Sequence, residues 1–213
     1  MKRSFSVFAR FFLAPIIKKF FIEKVEGEEN IPQESNFIIA SNHQSYFDHF
    51  FVAFPLKDKL EKAHFIGKME SPLHPLLFGL IYFFAETIAV NRKSKGRRMV
   101  LKRAIEYLKK GEIIIIYPEG GRNGKKTLRK GKTGVAELAL KTGVPILPIG
   151  TLNQRNGWKK VIKIGKLIDT QDILKERDTF TPQEQEYELL LRRVTDKVMK
   201  AISQLCGKRY PYS

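Results

Sequence analysis

Apolar positions along the chain fall into short blocks of two kinds. Continuous runs, NFIIAS at 36–41, AHFIG at 63–67, EIIIIY at 112–117 and VPILPIG at 144–150, read as strands, with TIAV at 87–90 as a shorter one. EIIIIY has no polar alternation, the pattern of a strand covered on both faces, so it should be central. Helical spacing separates these runs: Ser45 to Phe54, an apolar stretch at 72–84, GRRMVLKRAIEYLKKG ended by Gly111, and VAELALK. In the third of these, Leu101, Ala104, Ile105 and Leu108 share one face and basic residues cover the other. VIKIG and KLI, after residue 160, read as edge strands, and a final helix starts after Thr181-Pro182. Strands alternating with helices predict an α/β fold, a mixed central sheet flanked by helices, over a helical bundle or a sandwich.

The first 22 residues depart from this alternation. Arg3, Arg10, Lys18 and Lys19 are interleaved with Phe5, Val7, Phe8, Phe11, Phe12, Leu13, Ile16, Ile17, Phe20 and Phe21, and Pro15 should break or bend any helix there. Such a mixture suits an amphipathic helical segment on a membrane surface; the alternative is a terminal helix docked on the core with its lysines solvated. The expected organisation is therefore a membrane-associating segment at 1–22 and a single α/β domain at 23–213.

With 213 residues, 43% of them hydrophobic, the chain can bury a substantial core. The longest apolar stretch, LLFGLIYFFA at 76–85, is ended by Glu86, so neither a signal peptide nor a conventional membrane-spanning helix is expected. The single cysteine, Cys206, excludes an internal disulfide and a multi-cysteine metal cluster, which makes an intracellular setting the default. A formal net charge of +17 points to an anionic partner, nucleic acid or an acidic lipid surface.

Ligands of α/β sheets bind beyond the carboxyl ends of strands, where NHQSYFD, NRKSKGRR and PEGGRN all fall. A histidine near neutral pH accepts a proton, and a carboxylate that holds one ring nitrogen as N–H leaves the other as base. His43 and Asp48 form such a candidate dyad, although spacing alone better suits a helix-entry histidine and a first-turn carboxylate. Around it, Arg122, Lys68, Lys130 and Arg92 are candidate phosphate ligands, and the backbone at Gly120 and Gly121 leaves room for an anion. Glu119 can accept from substrate hydroxyls or hold Arg122, or serve only as a turn carboxylate that satisfies local backbone N–H groups. His49 and His64 read as packing or surface residues and His74 as a helix entry; none has metal-ligand spacing, and no metal or cofactor is expected.

Together these blocks resemble the glycerolipid acyltransferase family that includes lysophosphatidic acid acyltransferases. NHQSYFD fits N-H-x-x-x-x-D at Asn42, His43 and Asp48. GKMESP resembles the second block at Gly67, Lys68 and Glu70, YPEGGRN the F-P-E-G-T-R-S block, and VPILPIG the fourth at Val144, Pro145 and Pro148. The resemblance, from about residue 25 to 150, implies transfer of a fatty acyl group from acyl-CoA or acyl-carrier protein to a lysophospholipid hydroxyl, at the cytoplasmic face of an anionic membrane, peripheral or monotopic. It makes His43 the general base, Asp48 its orienting partner, Glu119, Gly120 and Arg122 parts of the acceptor loop, Lys68 a residue near the phosphate, and the apolar 76–85 segment a wall of an acyl tunnel, although the residues of that segment by themselves better suit an ordinary core helix. Tyr117, Gly121 and Asn123 depart from the usual Phe, Thr and Ser, removing an expected hydroxyl near the acceptor. The acceptor implied is 1-acyl-glycerol-3-phosphate; the alternatives are another lysophospholipid, glycerol-3-phosphate, or a lipid-binding scaffold without activity. Nucleic acid is not expected as a partner, because that reading gives His43, Asp48 and Glu119 no joint role.

Overall fold

A computed structural model describes residues 7, 9–33, 36–67, 88–89, 96–154, 158–171 and 184–212. Among the described residues seven strands form one sheet: β1 (Ile22–Glu26), β2 (Ile38–Ser41), β3 (Ala63–Gly67), β4 (Ile88–Ala89), β5 (Ile113–Ile116), β6 (Ile146–Asn153) and β7 (Lys160–Ile164). Their order across the sheet is β1-β7-β6-β2-β5-β3-β4, and every pairing is parallel except β6 with β7. The helices are α1 (Ala14–Phe21), α2 (Asp48–Ala53), α3 (Gly96–Lys109), α4 (Gly134–Thr142) and α5 (Glu184–Cys206).

Alternation along the strands divides the core in two. Ile38, Ala40, Ile114 and Ile146 point to a layer filled by α3, α4 and α5. Phe37, Ile39, Ile113, Ile115, Leu147 and Ile149 point to the opposite layer, which receives Phe51 and Val52 of α2. Covering both faces requires apolar side chains at successive strand positions, the reason EIIIIY lacks polar alternation. β5 lies inside the sheet between β2 and β3, and β2 occupies the middle. The buried face of α3 carries Leu101, Ala104 and Leu108, with Ile105 partly buried beside them, as its spacing predicts.

Other expectations need correction. Residues 22–26 form a strand that their sequence, IEKVE, does not announce, because only Ile22 is fully buried and the remaining positions face solvent wholly or in part. This strand takes the sheet edge, so VIKIG becomes the second strand in rather than an edge. KLI forms no strand; Ile168 alone bridges Ile146. The helix expected at 45–54 starts at Asp48 and continues from Phe54 to Lys62 as 3-10 helix. The 72–84 helix, with LLFGLIYFFA and His74, lies outside the described residues.

Pro15, expected to break or bend a helix, lies in the first turn of α1, where a π-helical turn, Ala9–Leu13, passes directly into the α-helix without an interruption. In α1, Ile17 packs on the α2-side core, while Ile16, Phe20 and Phe21 are exposed, as are Phe11 and Phe12 just before it. No described helix is long and apolar enough to cross a membrane.

Helix α5 packs tightly on β6 at Gly150, where a Cβ would lie 2.5 Å from Leu205 Cβ and 2.6 Å from the Cys206 nitrogen. Two of the nearest atoms are backbone and cannot swing aside. Gly150→Ala should therefore cost about 1–3 kcal/mol through overpacking, read as a lower urea midpoint.

Candidate functional site

The site forms where β2 ends in the middle of the sheet. Beyond Ser41, the ladder is continued by a side chain: Asn42 Oδ1 accepts from the Thr151 N–H and Asn42 Nδ2 donates to the Thr151 carbonyl, both at 2.9 Å. A primary amide has the donor and acceptor of a peptide group, so Asn42 substitutes for one more β residue while the main chain turns away. Gln44 Nε2 donates to the same carbonyl at 2.9 Å. The turn is thus fixed to β6 at two points, and His43 lies between them.

His43 Nδ1 lies 2.9 Å from Asp48 Oδ2. The same oxygen accepts the Ser45 N–H at 2.7 Å and the Gln44 N–H, and Oδ1 accepts from Ser45 Oγ at 3.3 Å. Asp48 is fully buried, as a charge can be only when donors replace its water. Burial alone would raise its carboxyl; the hydrogen bonds from His43, Ser45 and Gln44 outweigh that and hold it below the ordinary aspartate value. A carboxylate at Nδ1 fixes the proton there and leaves Nε2 as the basic nitrogen.

The imidazole plane is set by Tyr117, which stacks on it with centroids 4.2 Å apart at 16°. Tyr117 Oη lies 3.2 Å from His49 Nδ1, and the His49 ring meets Phe65 edge-on at 4.8 Å. His49 is the packing residue its sequence suggests, but it packs in the wall of the dyad. Tyr117, a departure from the usual Phe, supplies the hydroxyl that tethers it.

The loop after β5 closes the site. Glu119 is buried, and its carboxylate accepts from Asn123 Nδ2 at 2.6 Å, the Arg129 N–H at 2.9 Å and the His43 N–H at 3.5 Å. The Asn123 N–H donates to the His43 carbonyl at 2.6 Å, and Asn123 Nδ2 also donates to the Thr127 carbonyl at 2.9 Å. Gly120 has φ 69°, the left-handed region, and a Cβ there would fall 2.4 Å from Lys132 Cε. Arg122 is exposed, its guanidinium 3.5 Å above the Tyr46 ring.

His43, Asp48, Glu119, Gly120, Gly121 and Arg122 therefore converge, whereas Lys130 is an exposed residue of the same loop. Lys68 and Arg92 lie outside the described residues, one position beyond the end of β3 and three beyond the end of β4. Glu119 holds Asn123 and two backbone amides, and no contact of its carboxylate with Arg122 occurs among the described residues. Sequence reasoning missed Lys160, a buried β7 lysine with its ammonium 5.9 Å from the Phe51 ring centroid. Burial pushes its ammonium down, partly opposed by the negative charge of Asp48. A basic residue opening an apolar β run carries no signal that separates it from solvated lysines. Among the described residues no set of three or more His, Cys, Asp and Glu side chains gathers as metal ligands.

A family model described as Acyltransferase matches residues 23–151. A 1-acyl-sn-glycerol-3-phosphate acyltransferase of Borreliella burgdorferi is 30% identical over 188 residues, 85% of this chain and 72% of that protein. One of Pseudomonas aeruginosa is 34% identical over 143 residues, 64% of this chain, and this chain spans about half (53%) of its length. Among solved structures, the 1-acyl-sn-glycerophosphate (LPA) acyltransferase PlsC of Thermotoga maritima superposes with a TM-score of 0.59 at 25% identity, covering 95% of this chain and 88% of that one.

Asp48 also makes the site sensitive to acid. A carboxyl whose folded value is depressed contributes stability that is complete above its unfolded value of about 4 and is lost as pH falls through the lower folded value. The stability gap between wild type and Asp48→Asn, measured by urea unfolding, should be constant above about pH 5 and narrow as pH falls below about 4.

Proposed function

The chain belongs to the acyltransferase family, and we propose that, as an O-acyltransferase of the lysophosphatidic acid type, it transfers a fatty acyl group from an acyl thioester to the free hydroxyl of 1-acyl-glycerol-3-phosphate, giving phosphatidic acid. The observation that carries this reading is the 2.9 Å contact of His43 Nδ1 with a fully buried Asp48 carboxylate at the end of a central strand. His43 Nε2 removes the acceptor hydroxyl proton as that oxygen attacks the thioester carbonyl. The tetrahedral intermediate then collapses, the carbon–sulfur bond breaks, and the departing thiolate takes the proton from His43. Asp48 stabilises the imidazolium formed between these steps without changing its own protonation.

The acceptor's phosphate meets the cations around this centre. Arg122 and Arg92 contribute planar forks, Lys68 and Lys130 point charges, and the Gly120–Gly121 backbone a close approach. Glu119 serves this arrangement through the loop: its two oxygens bind Asn123, Arg129 and His43. The donor is acyl-CoA or acyl-carrier protein, either of which presents anionic groups to a chain of net charge +17.

We further propose that residues 1–22 rest on the cytoplasmic face of an anionic membrane and deliver a single catalytic domain, 23–213, to its lipid substrate as a peripheral or monotopic protein. The exposed Phe11, Phe12, Ile16 and Phe20 beside exposed Lys18 and Lys19 support this: apolar side chains enter the interface and the ammonium groups meet lipid phosphates. Trp158, 63% exposed, meets Phe21 edge-on at 5.4 Å and extends the aromatic surface.

Two measurements test these readings. Thiol release from acyl-CoA and acyl-carrier protein, with lysophosphatidic acid, other lysophospholipids or glycerol-3-phosphate in vesicles, should require lysophosphatidic acid and fall roughly 10²- to 10⁴-fold in His43→Ala. A folded His43→Ala protein with near-normal turnover removes His43 from the chemistry. In sedimentation with anionic vesicles, the triple variant Phe11→Ser, Phe12→Ser, Phe20→Ser should bind at least roughly tenfold more weakly, since burying each phenylalanine is worth about 1.5–3 kcal/mol. Unchanged binding would remove this segment as the membrane contact.

A further inference from the structure

The segment after α5 returns across the sheet to the catalytic loop. Gly207 turns the chain, and Ser203 Oγ donates to the Lys208 carbonyl. Arg209 then pairs with the loop: its carbonyl accepts the Leu128 N–H at 2.9 Å, its N–H donates to the Lys126 carbonyl at 3.2 Å, and the two segments form a parallel bridge at Thr127 and Arg209. Lys208 Nζ donates to the Asn123 carbonyl at 2.9 Å. Tyr210 Oη donates to Asp196 Oδ1 at 2.5 Å, Arg192 Nε donates to Asp196 Oδ2 at 3.0 Å, and Arg192 Nη1 donates to the Gly131 carbonyl at 2.8 Å. The loop is thus held at Asn123, at Lys126 and Leu128, and at Gly131.

Asn123 is where this attachment reaches the dyad. Its N–H donates to the His43 carbonyl at 2.6 Å, its side chain donates to Glu119, and its carbonyl takes the Lys208 ammonium. The family's usual serine would place a shorter side chain at this position. We propose that Lys208, Arg209 and Tyr210 form a clamp that holds the loop from Glu119 to Gly131 against His43, and that Lys208 is a positioning residue for acyl transfer.

This rests on the acyltransferase reading for its effect on rate, and on geometry alone for its effect on the loop. Hydrogen bonds from an ammonium are the stronger kind, and the Asn123 carbonyl is partly screened from water, so Lys208 fixes the residue that fixes His43. Tyr210 is suited to a permanent donor role: burial and its bond to Asp196 push its hydroxyl up to about 12, so it stays protonated at any working pH.

The test compares full-length wild type, Lys208→Met and Lys208→Arg by amide hydrogen exchange and by thiol release. Lys208→Met should speed exchange at Asn123 and Leu128 while β6 and the middle of α5 exchange as in wild type. It should also lower kcat about tenfold, within the range that a displacement of about 1 Å costs a catalytic group, and Lys208→Arg should restore both. Wild-type exchange at Asn123 in Lys208→Met overturns the clamp, as does faster exchange spread evenly over the molecule, which would make Lys208 a contributor to global stability only. If Lys208→Met does not fold, Tyr210→Phe, which removes only the hydroxyl bound to Asp196, must loosen Leu128 and Gly131 or the clamp fails. Absence of thiol release from wild type overturns the acyltransferase reading and leaves exchange to judge the clamp.

Discussion

A carboxylate withdrawn from water remains charged only where donors converge on it, and the turn between β2 and α2 is organised around that requirement at Asp48. Two consecutive backbone N–H groups, from Gln44 and Ser45, point inward at one oxygen, which obliges the chain to coil tightly just after His43. That coil places the imidazole within reach of the same oxygen. The orientation of the His43 ring, the start of α2 and the burial of Phe51 and Val52 on that helix are therefore consequences of one solvation problem. A neutral residue at 48 would relax the turn as well as remove a charge.

Polar residues around the dyad divide by burial. Asn42, Glu119, Asn123 and Thr151 are buried, and the first three have side chains hydrogen-bonded to main-chain groups. They serve as peptide substitutes, satisfying backbone donors and acceptors that a sheet end and an irregular loop would otherwise leave unmet. The cations of the same loop, Arg122 and Lys130, are exposed. The loop's buried groups are neutral or anionic and its exposed rim is cationic, so an anion can be met at the rim without disturbing the groups that hold His43.

Much of this was legible in the sequence because apolar runs report burial on both faces. The middle strands β2, β5 and β6 were predicted within a few residues; strand-end position made His43, Asp48 and Glu119 candidates, and the surrounding blocks, through their resemblance to a known family, gave them a joint role. The edge was not legible. β1 buries only Ile22 fully, and an edge strand of IEKVE has nothing to distinguish it from a polar connection. Lys160 and Lys208 were missed for a related reason: which of 39 basic side chains turn inward depends on tertiary packing that no local pattern encodes. Asn123 looked like the loss of a hydroxyl, yet its amide makes two donor contacts, to Glu119 and Thr127, where a serine hydroxyl has one proton to give.

The edge strand has a consequence for how the molecule is made. β1 has a single sheet neighbour, β7, and Val25 pairs with Ile162. On the ribosome, residues 9–26 emerge before their sheet neighbour and have no strand to join until the chain beyond residue 160 has followed. Through most of synthesis the aromatic segment of α1 is tethered to nothing in the sheet, while the strands that carry His43 and Glu119, β2 and β5, become available to each other much earlier. A segment made before the rest of the sheet is thus among the last parts of it to be fixed, and its phenylalanines spend that interval exposed to whatever surface lies nearby.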